Sequence, residues 1–171
     1  LGVRRSEHRV TAGIGHDESL TSPVPGSMHL GGVIPGGDMS DDLFSVAGRT
    51  ALITGGSRGI GAMIATGFVA DGARVIIAAR KVAELEAAAA DLNALPGVGS
   101  ATAIVADLSS EEGCRALADA VAEQTGHLDV LVNNAGATWG VPLEDHDQAS
   151  WERVLNLNVA GVFHLTKFCL P

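Results

Sequence analysis

Short apolar runs alternate with amphipathic segments along most of this 171-residue chain. Apolar runs of strand length predict strands at residues 49–54, 74–79, 101–106 and 128–132. Segments with apolar positions at helical spacing predict helices at residues 59–71, 82–95, 110–125 and 151–170. Ser109 and Ser150 are the expected N-caps of the last two helices, and Glu112 is placed to form a capping box with Ser109.

The predicted strands are apolar on both faces, and helices of crossover length separate them. This pattern indicates a parallel sheet that is covered by helices on both sides. We therefore expect an α/β fold with a doubly wound parallel sheet, which ends after the fourth strand and the helix that follows it. A loop over residues 136–149 joins those last two elements.

Residues 1–38 differ from the rest of the chain, because they are rich in glycine and proline and show no hydrophobic periodicity. Such a composition predicts a disordered tail. Met39 is followed by a short polar stretch and then by the first strand pattern, so we expect Met39 to be the natural start. The sequence thus predicts a tail over residues 1–38 and a folded part over residues 39–171.

The composition excludes several classes of protein. A net charge of −9 and a pI near 4.9 argue against a nucleic-acid or anionic membrane surface as partner. The two cysteines are too few for a disulfide framework and lack zinc-site spacing, which favours a reducing, cytoplasmic setting. Charged residues interrupt every apolar stretch before it reaches the length of a membrane-spanning helix.

The segment between the first strand and the first helix, TGGSRGIG at residues 54–61, carries the strongest chemical signal. Gly55 permits a sharp turn, Gly59 lets the backbone approach a pyrophosphate, and Gly61 lets the helix pack close to the strand. The helix N-terminus adds unpaired N–H groups and the positive end of the helix dipole. In this strand–turn–helix context the loop predicts a dinucleotide site. The expected contact residues of the loop are Gly55, Ser57, Arg58, Gly59, Ile60 and Gly61.

The end of the second predicted strand indicates which nucleotide is bound. An acidic residue there would hold the ribose hydroxyls of NAD, but this chain has Ala79 followed by Arg80, with Arg58 as a second cation. Because arginine suits a phosphate group, the two arginines favour NADP(H) over NAD(H). The alternative is that Arg80 is only a solvated cation at a strand end.

Four motifs follow one another in the chain. They are the glycine loop, Asp107-Leu108 after the third strand, Asn133-Asn134-Ala135-Gly136 after the fourth, and Leu157-Asn158-Val159 in the last helix. Together they resemble the short-chain dehydrogenase/reductase family, from about Phe44 to the C-terminus, and this resemblance implies a Rossmann fold. The glycine loop and residues 133–140 are most similar to the NADPH-dependent β-ketoacyl reductases, including the rhamnolipid-biosynthesis type.

The resemblance also implies roles for the matching residues. Asp107 would hydrogen-bond the adenine amino group, with the Leu108 backbone beside it; the alternative for Asp107 is a favourable charge at a helix N-terminus. Asn133, Ala135 and Gly136 would brace the sheet and lie against the nicotinamide-side ribose, the alternative being a purely structural turn.

The family's reaction is hydride transfer between nicotinamide and a carbonyl carbon. A tyrosine donates the proton, a lysine four residues on lowers its pKa, and a serine orients the carbonyl. Asn158 matches the family's catalytic asparagine, but the chain contains no tyrosine. One hypothesis is that the chain is part of a longer NADP(H)-dependent reductase, and the other is that it is a catalytically inactive nucleotide-binding half-domain. The 171 residues are expected to show weak or no reduction of β-ketoacyl thioesters.

Other features are weaker signals. Trp139 follows the fourth strand and either lines a substrate pocket or simply packs. Residues 144–147 are four consecutive polar residues that cannot all face one ion, so they predict a solvated loop and no metal site. The family places the last helix at a subunit interface, which implies a homo-oligomer acting on a small carbonyl or alcohol substrate. The extended branch of the family, with its sugar-nucleotide epimerases and dehydratases, is disfavoured by Asn-Asn-Ala-Gly.

Overall fold

The computed structural model describes residues 43–170, in which four parallel strands form one sheet. The strands are β1 (Thr50–Thr54), β2 (Arg74–Ala79), β3 (Ser100–Val105) and β4 (Val130–Val132). Their order across the sheet is β3-β2-β1-β4. In register, Leu52 of β1 lies between Ile76 of β2 and Leu131 of β4. The chain therefore reverses its direction of travel across the sheet between β3 and β4, so the carboxyl ends of β1 and β4 lie side by side.

Helices connect the strands. They are α1 (Gly59–Ala70), α2 (Val82–Asn93), α3 (Glu111–Thr125), α4 (Gln148–Leu155) and α5 (Val162–Cys169), with a 3₁₀ turn at Leu143–Asp145. A π-helical turn, Asn156–Gly161, joins α4 to α5 into one helical run. None of the helices in the described part of the chain is long and apolar enough to cross a membrane.

Alternate side chains of the central strands pack into two separate hydrophobic cores, one on each face of the sheet. On one face of the sheet, Ile53 and Ile77 pack with buried side chains of α1 and α2, such as Val69 and Leu85. On the other face, buried strand residues including Leu52 pack with side chains of α3 and α5. Each core excludes water from one side of the sheet, which is the dominant stabilising contribution in such a fold. The predicted doubly wound α/β architecture is confirmed.

The cap of α3 differs from the prediction. Ser110, not Ser109, is the N-cap, and its hydroxyl accepts the N–H of Gly113 at 3.1 Å. Ser109 instead donates its hydroxyl to Asp107 Oδ1 at 2.8 Å. The capping box with Glu112 is therefore wrong, because Gly113 occupies the N3 position, where the box needs Glu or Gln.

The last helical run also differs from the prediction. It begins at Gln148 because the carboxylate of Asp147 accepts the N–H of Ser150 at 2.7 Å. Ser150, the expected cap, is buried and donates its own hydroxyl to Asp147. The run is not a single α-helix, since the π turn interrupts it.

Strand boundaries shift by one or two residues. Pairing in β4 begins at Val130 rather than at residue 128. Just before the strand, the Asp129 carboxylate accepts the N–H of Thr50 at 2.8 Å. β3 begins one residue earlier than predicted, at Ser100. The predicted tail over residues 1–38 and the start at Met39 lie outside the described residues.

Candidate functional site

A cavity of about 370 Å³ opens at the carboxyl ends of the strands. Every loop that leaves a strand at this edge contributes to its wall. The predicted residues on the wall are Gly55, Ser57, Arg58, Gly59, Arg80, Asp107, Leu108, Ala135 and Gly136. Ligands of open α/β sheets bind at this edge, at the point where the strand order reverses. The structure therefore brings most of the predicted nucleotide contacts together around one space.

The glycine loop turns sharply at the end of β1. Gly55 has a φ of 67°, in the left-handed region that side chains disfavour. A Cβ at Gly61 would lie 2.3 Å from the Gly55 carbonyl oxygen, so α1 can pass this close to the strand end only with glycine there. Gly61 thus packs against the loop and does not line the cavity, whereas Ile60 is 70% exposed outside it.

Among the described residues, no side chain accepts a hydrogen bond from the backbone N–H groups in the first turn of α1. Its N-cap residue, Arg58, makes no capping hydrogen bond with its side chain, and no acidic residue lies in the first turn. The leading N–H groups of a helix have no intrahelical acceptor, and they carry the positive end of its dipole. This end of α1 is therefore suited to an anionic group.

A hydroxyl and an amide that the sequence prediction left out hold the two central loops together. The hydroxyl of buried Thr54 donates to the Val132 carbonyl at 3.2 Å and accepts the N–H groups of Asn134 and Ala135, both at 3.0 Å. The Asn134 amide in turn donates to the carbonyls of Thr54 and Gly55, at 2.9 and 3.3 Å. Asn134 is itself on the cavity wall. Its place in the Asn-Asn-Ala-Gly motif was the available signal.

Charged side chains form one rim of the cavity. This cationic rim consists of Arg58, Arg80, Lys81 and Glu84. Lys81 and Glu84 form an ion pair with Nζ and Oε1 2.5 Å apart. The hydrogen bond from Lys81, and then the charges of Lys81 and Arg58, hold the pKa of Glu84 below its ordinary value. Neither Lys81 nor Glu84 was a predicted site residue, although a lysine directly after Arg80 was a visible sign of a cationic rim.

Asp107 lines the same cavity, and its carboxylate accepts two hydrogen bonds in a local turn. Burial would raise its pKa, but hydrogen bonds from the N–H and hydroxyl of Ser109 and the charge of Arg80 outweigh that effect, so the pKa is lowered. The two hydrogen bonds measure 3.1 and 2.8 Å and both reach Oδ1. The side chain is therefore an ionised acceptor next to the buried Leu108.

Two predicted asparagines lie beside the cavity wall instead of forming it. The Asn133 amide donates to the hydroxyl of Thr166 on α5 at 3.1 Å. Asn158, in the π turn, makes a pair of hydrogen bonds with Ala137: its Oδ1 accepts the N–H and its Nδ2 donates to the carbonyl, both at 2.8 Å. Both asparagines thus fasten the loop after β4 to the last helical run, and Leu157 of that run reaches the cavity wall.

The loop after β4 carries the weaker candidates. Trp139 is 42% exposed, and the Arg153 guanidinium lies 4.9 Å from its ring centre. Residues 144–147 are all exposed. Across the described residues, no group of three or more potential metal ligands comes together.

Comparison with known proteins agrees with this geometry. The chain matches the short chain dehydrogenase family over residues 49–171. It is 52% identical to the rhamnolipids biosynthesis 3-oxoacyl-acyl-carrier-protein reductase of Pseudomonas aeruginosa, over 75% of this chain and 49% of that protein. The Pseudomonas aeruginosa RhlG/NADP active-site complex has a TM-score of 0.70 at 51% identity, covering 75% of this chain and 49% of that one.

A short chain dehydrogenase from Burkholderia cenocepacia in complex with NADP has a TM-score of 0.68 at 41% identity, covering 73% of this chain and 51% of that one. The chain spans about half the length of these relatives. The family match over residues 49–171, together with the glycine loop and the parallel sheet, shows that this chain belongs to the short chain dehydrogenase family.

Proposed function

We propose that these residues bind NADP(H) and form the cofactor-binding part of an oxidoreductase that interconverts a carbonyl compound and a secondary alcohol. The observation that carries this proposal is the meeting of the glycine loop, the open N-terminus of α1 and the cationic rim around one cavity. A dinucleotide needs an anion site for its pyrophosphate and a pocket at the strand ends. When bound, the cofactor supplies the hydride.

Each predicted residue has a place in this proposal. The loop residues Gly55, Ser57 and Gly59 and the leading backbone N–H groups of α1, including that of Ile60, hold the pyrophosphate. Gly61 keeps α1 close to the strand end. Asp107 and the Leu108 backbone receive the adenine. Ala135 and Gly136 form the wall on the side of the nicotinamide ribose, and Asn133 braces the loop that carries them.

The choice of NADP(H) over NAD(H) rests on charge. Arg58, Arg80 and Lys81 line the part of the cavity next to the end of β2, where the adenosine ribose lies in this fold. A carboxylate that could take both ribose hydroxyls does not follow β2 directly; the first residue there is Arg80. Two of the related structures are complexes with NADP, which supports the same choice.

Replacing Arg80 or Arg58 with alanine tests the cofactor assignment. Because a charge-assisted hydrogen bond to phosphate is lost, we expect the Kd for NADPH to rise about tenfold or more, and the Kd for NADH to change little. Isothermal titration calorimetry on the 171-residue chain measures both constants. Arg74→Ala is the control, because Arg74 opens β2 at the opposite edge of the sheet. Equal losses for NADPH and NADH would contradict the assignment.

The proposed substrate class is a β-ketoacyl thioester, supported by the 52% identity to a 3-oxoacyl reductase. Asn158 is the one proposed catalytic residue, acting on a water in the proton relay. The 171 residues hold no tyrosine to donate the proton. We therefore expect NADPH oxidation with acetoacetyl thioesters to be weak or absent in this chain; turnover at ordinary enzyme rates would show that another group replaces the tyrosine.

Two alternatives remain in this proposal. The residues either belong to a longer reductase or act as a nucleotide-binding half-domain without catalysis. We favour the reductase and propose that it works as a homo-oligomer. The support is a set of exposed apolar side chains on the last helical run, namely Trp151, Leu155, Val159 and Phe163. Light scattering would test the proposed homo-oligomer by measuring the molar mass of the reductase in solution.

A further inference from the structure

Glu84 occupies an unusual position for a carboxylate, on the wall of a cavity proposed to bind an anion. It lines the strand-end cavity together with Arg58, Arg80 and Lys81. It also lines a second cavity of about 600 Å³ between α1 and α2, which shares Arg58 with the first. Glu84 therefore stands at the junction of the two spaces, within the cationic rim.

The contacts of Glu84 engage the cations that a phosphate would need. Its Oε1 lies 2.5 Å from Lys81 Nζ, and the side chains of Lys81 and Glu84 are 68% and 45% exposed. The nearby charge of Arg58 also stabilises the ionised carboxylate. The carboxylate thus neutralises part of the positive charge of the rim.

The rim cannot satisfy two anions equally well. Three cations and two carboxylates, those of Glu84 and Asp107, line this cavity, so the net positive charge left for a dianionic phosphate is small. A phosphate that approached Lys81 would have to share it with Glu84 and would be repelled by that carboxylate. The ribose hydroxyls of NAD(H) carry no charge and would not experience this repulsion.

We propose that Glu84 is an internal counter-anion that competes with the 2′-phosphate of NADP(H) for Lys81 and Arg58. It lowers the affinity of the site for NADP(H) and so reduces the preference of the site for NADP(H) over NAD(H). This inference rests on the proposed cofactor site. Glu84 is a specificity-determining residue in this scheme, and it does not take part in hydride transfer.

The test compares Glu84→Gln with Glu86→Gln in the 171-residue chain. Glu86 is an exposed glutamate two residues further along α2 that lines neither cavity, so it controls for the change of charge on the helix. The probes are adenosine 2′,5′-bisphosphate, which carries the 2′-phosphate, and adenosine 5′-monophosphate, which does not. Calorimetry at low salt measures the Kd of each probe for each variant.

We expect Glu84→Gln to lower the Kd of the bisphosphate about two- to fivefold, the size of an exposed ion pair, and to leave that of the monophosphate unchanged. The gain should shrink in 0.5 M salt, a test condition in which exposed charges are screened. Glu86→Gln should show no such difference between the probes. Tighter binding of the bisphosphate alone would support the competition.

Three results would overturn the inference: no change, an equal change for both probes, or weaker binding of the bisphosphate by Glu84→Gln. The last would mean that Glu84 positions Lys81 for the phosphate. The proposed cofactor preference fails separately, if the unsubstituted chain binds the two probes equally well. If the unsubstituted chain prefers the bisphosphate but Glu84→Gln binds both probes as Glu86→Gln does, the proposed preference for NADP(H) stands. Only the proposed role of Glu84 is then rejected.

Discussion

Two glycines of α1 differ sharply in what surrounds them. A Cβ at Gly61 would lie 2.3 Å from the Gly55 carbonyl oxygen and 2.5 Å from Asn134 Nδ2, whereas a Cβ at Gly67 would meet nothing within 4 Å. The backbone oxygen at Gly55 cannot move without moving the glycine loop. A methyl group therefore disturbs the site at one position and only stiffens the helix at the other.

Gly61→Ala should lower the free energy of unfolding by about 1–3 kcal/mol, as overpacking does, and weaken NADPH binding because the loop must shift. Gly67→Ala should raise the free energy of unfolding by about 0.5–1 kcal/mol, because alanine loses less backbone entropy in a helix. Urea unfolding and calorimetry measure both effects. Similar stabilities for the two variants would contradict the close contact at Gly61.

At the residue scale, the sequence predicts positions whose chemistry is local. The glycines and Arg80 follow from the strand–turn–helix pattern alone, because a phosphate needs backbone donors and cations at that place. Asn134 could not be assigned in the same way. Its amide acts on the carbonyls of Thr54 and Gly55, about 80 residues earlier in the chain, and only the folded sheet brings them together.

Helix starts depend on which of several neighbouring polar residues reaches the free N–H groups. At α3, both Ser109 and Ser110 could serve, and Asp107 decides between them by accepting the hydroxyl of Ser109. At α4, the Asp147 carboxylate accepts a hydrogen bond from the N–H of Ser150, so the helix begins before the predicted start at residue 151. The cap is thus chosen by competition between side chains.

Ser110→Ala should lower the free energy of unfolding by about 1 kcal/mol, because the N–H of Gly113 loses its acceptor. Ser109→Ala is the matched control and should stay within about 0.5 kcal/mol, since its bond to Asp107 is exposed. Guanidinium unfolding of both variants makes the comparison. A larger loss for Ser109→Ala would restore Ser109 as the cap.

At the element scale, strands were predictable because short apolar runs suit a parallel sheet that helices cover, and the central strands β1 and β2 are almost wholly buried. The π turn was not predictable from periodicity, because it depends on contacts distant in the chain. Asn158 is held by both backbone groups of Ala137, and a Cβ at Gly161 would lie 2.4 Å from the Leu108 carbonyl oxygen. These two constraints position the turn between α4 and α5.

At the scale of the whole molecule, three carboxylates of the described residues stabilise the fold in their ionised form, in addition to Glu84. The pKa of Asp129 is lowered mainly by the N–H of Thr50, and that of Asp147 mainly by the hydroxyl of Ser150. At Asp107, the hydrogen bonds of Ser109 outweigh the effect of burial and also lower the pKa. Each group binds its proton less readily in the folded state than in the unfolded chain.

Stability should therefore be fully present above the unfolded pKa of these groups, near 3.8, and be lost as pH falls through their lower folded values. We expect Tm to fall mainly below pH 4, measured by thermal unfolding between pH 7 and pH 2.5. Asp129→Asn should reduce the steepness of this fall, whereas Asp119→Asn, an exposed change on α3, should not. A Tm that stays constant down to pH 3 would contradict this.

The loss of side-chain entropy on ligand binding differs between the two sides of the cavity. The bonds of Thr54 and Asn134 already fix the wall at the ends of β1 and β4, so a ligand there meets groups with little rotamer freedom left to lose. Arg58, Arg80 and Lys81 are exposed on the other rim, and each would lose about 0.5–1.5 kcal/mol of side-chain entropy on being immobilised. If the cavity binds NADP(H) as proposed, the entropic penalty of binding thus falls on the cationic rim, where stiffer side chains would raise the affinity without any new contact.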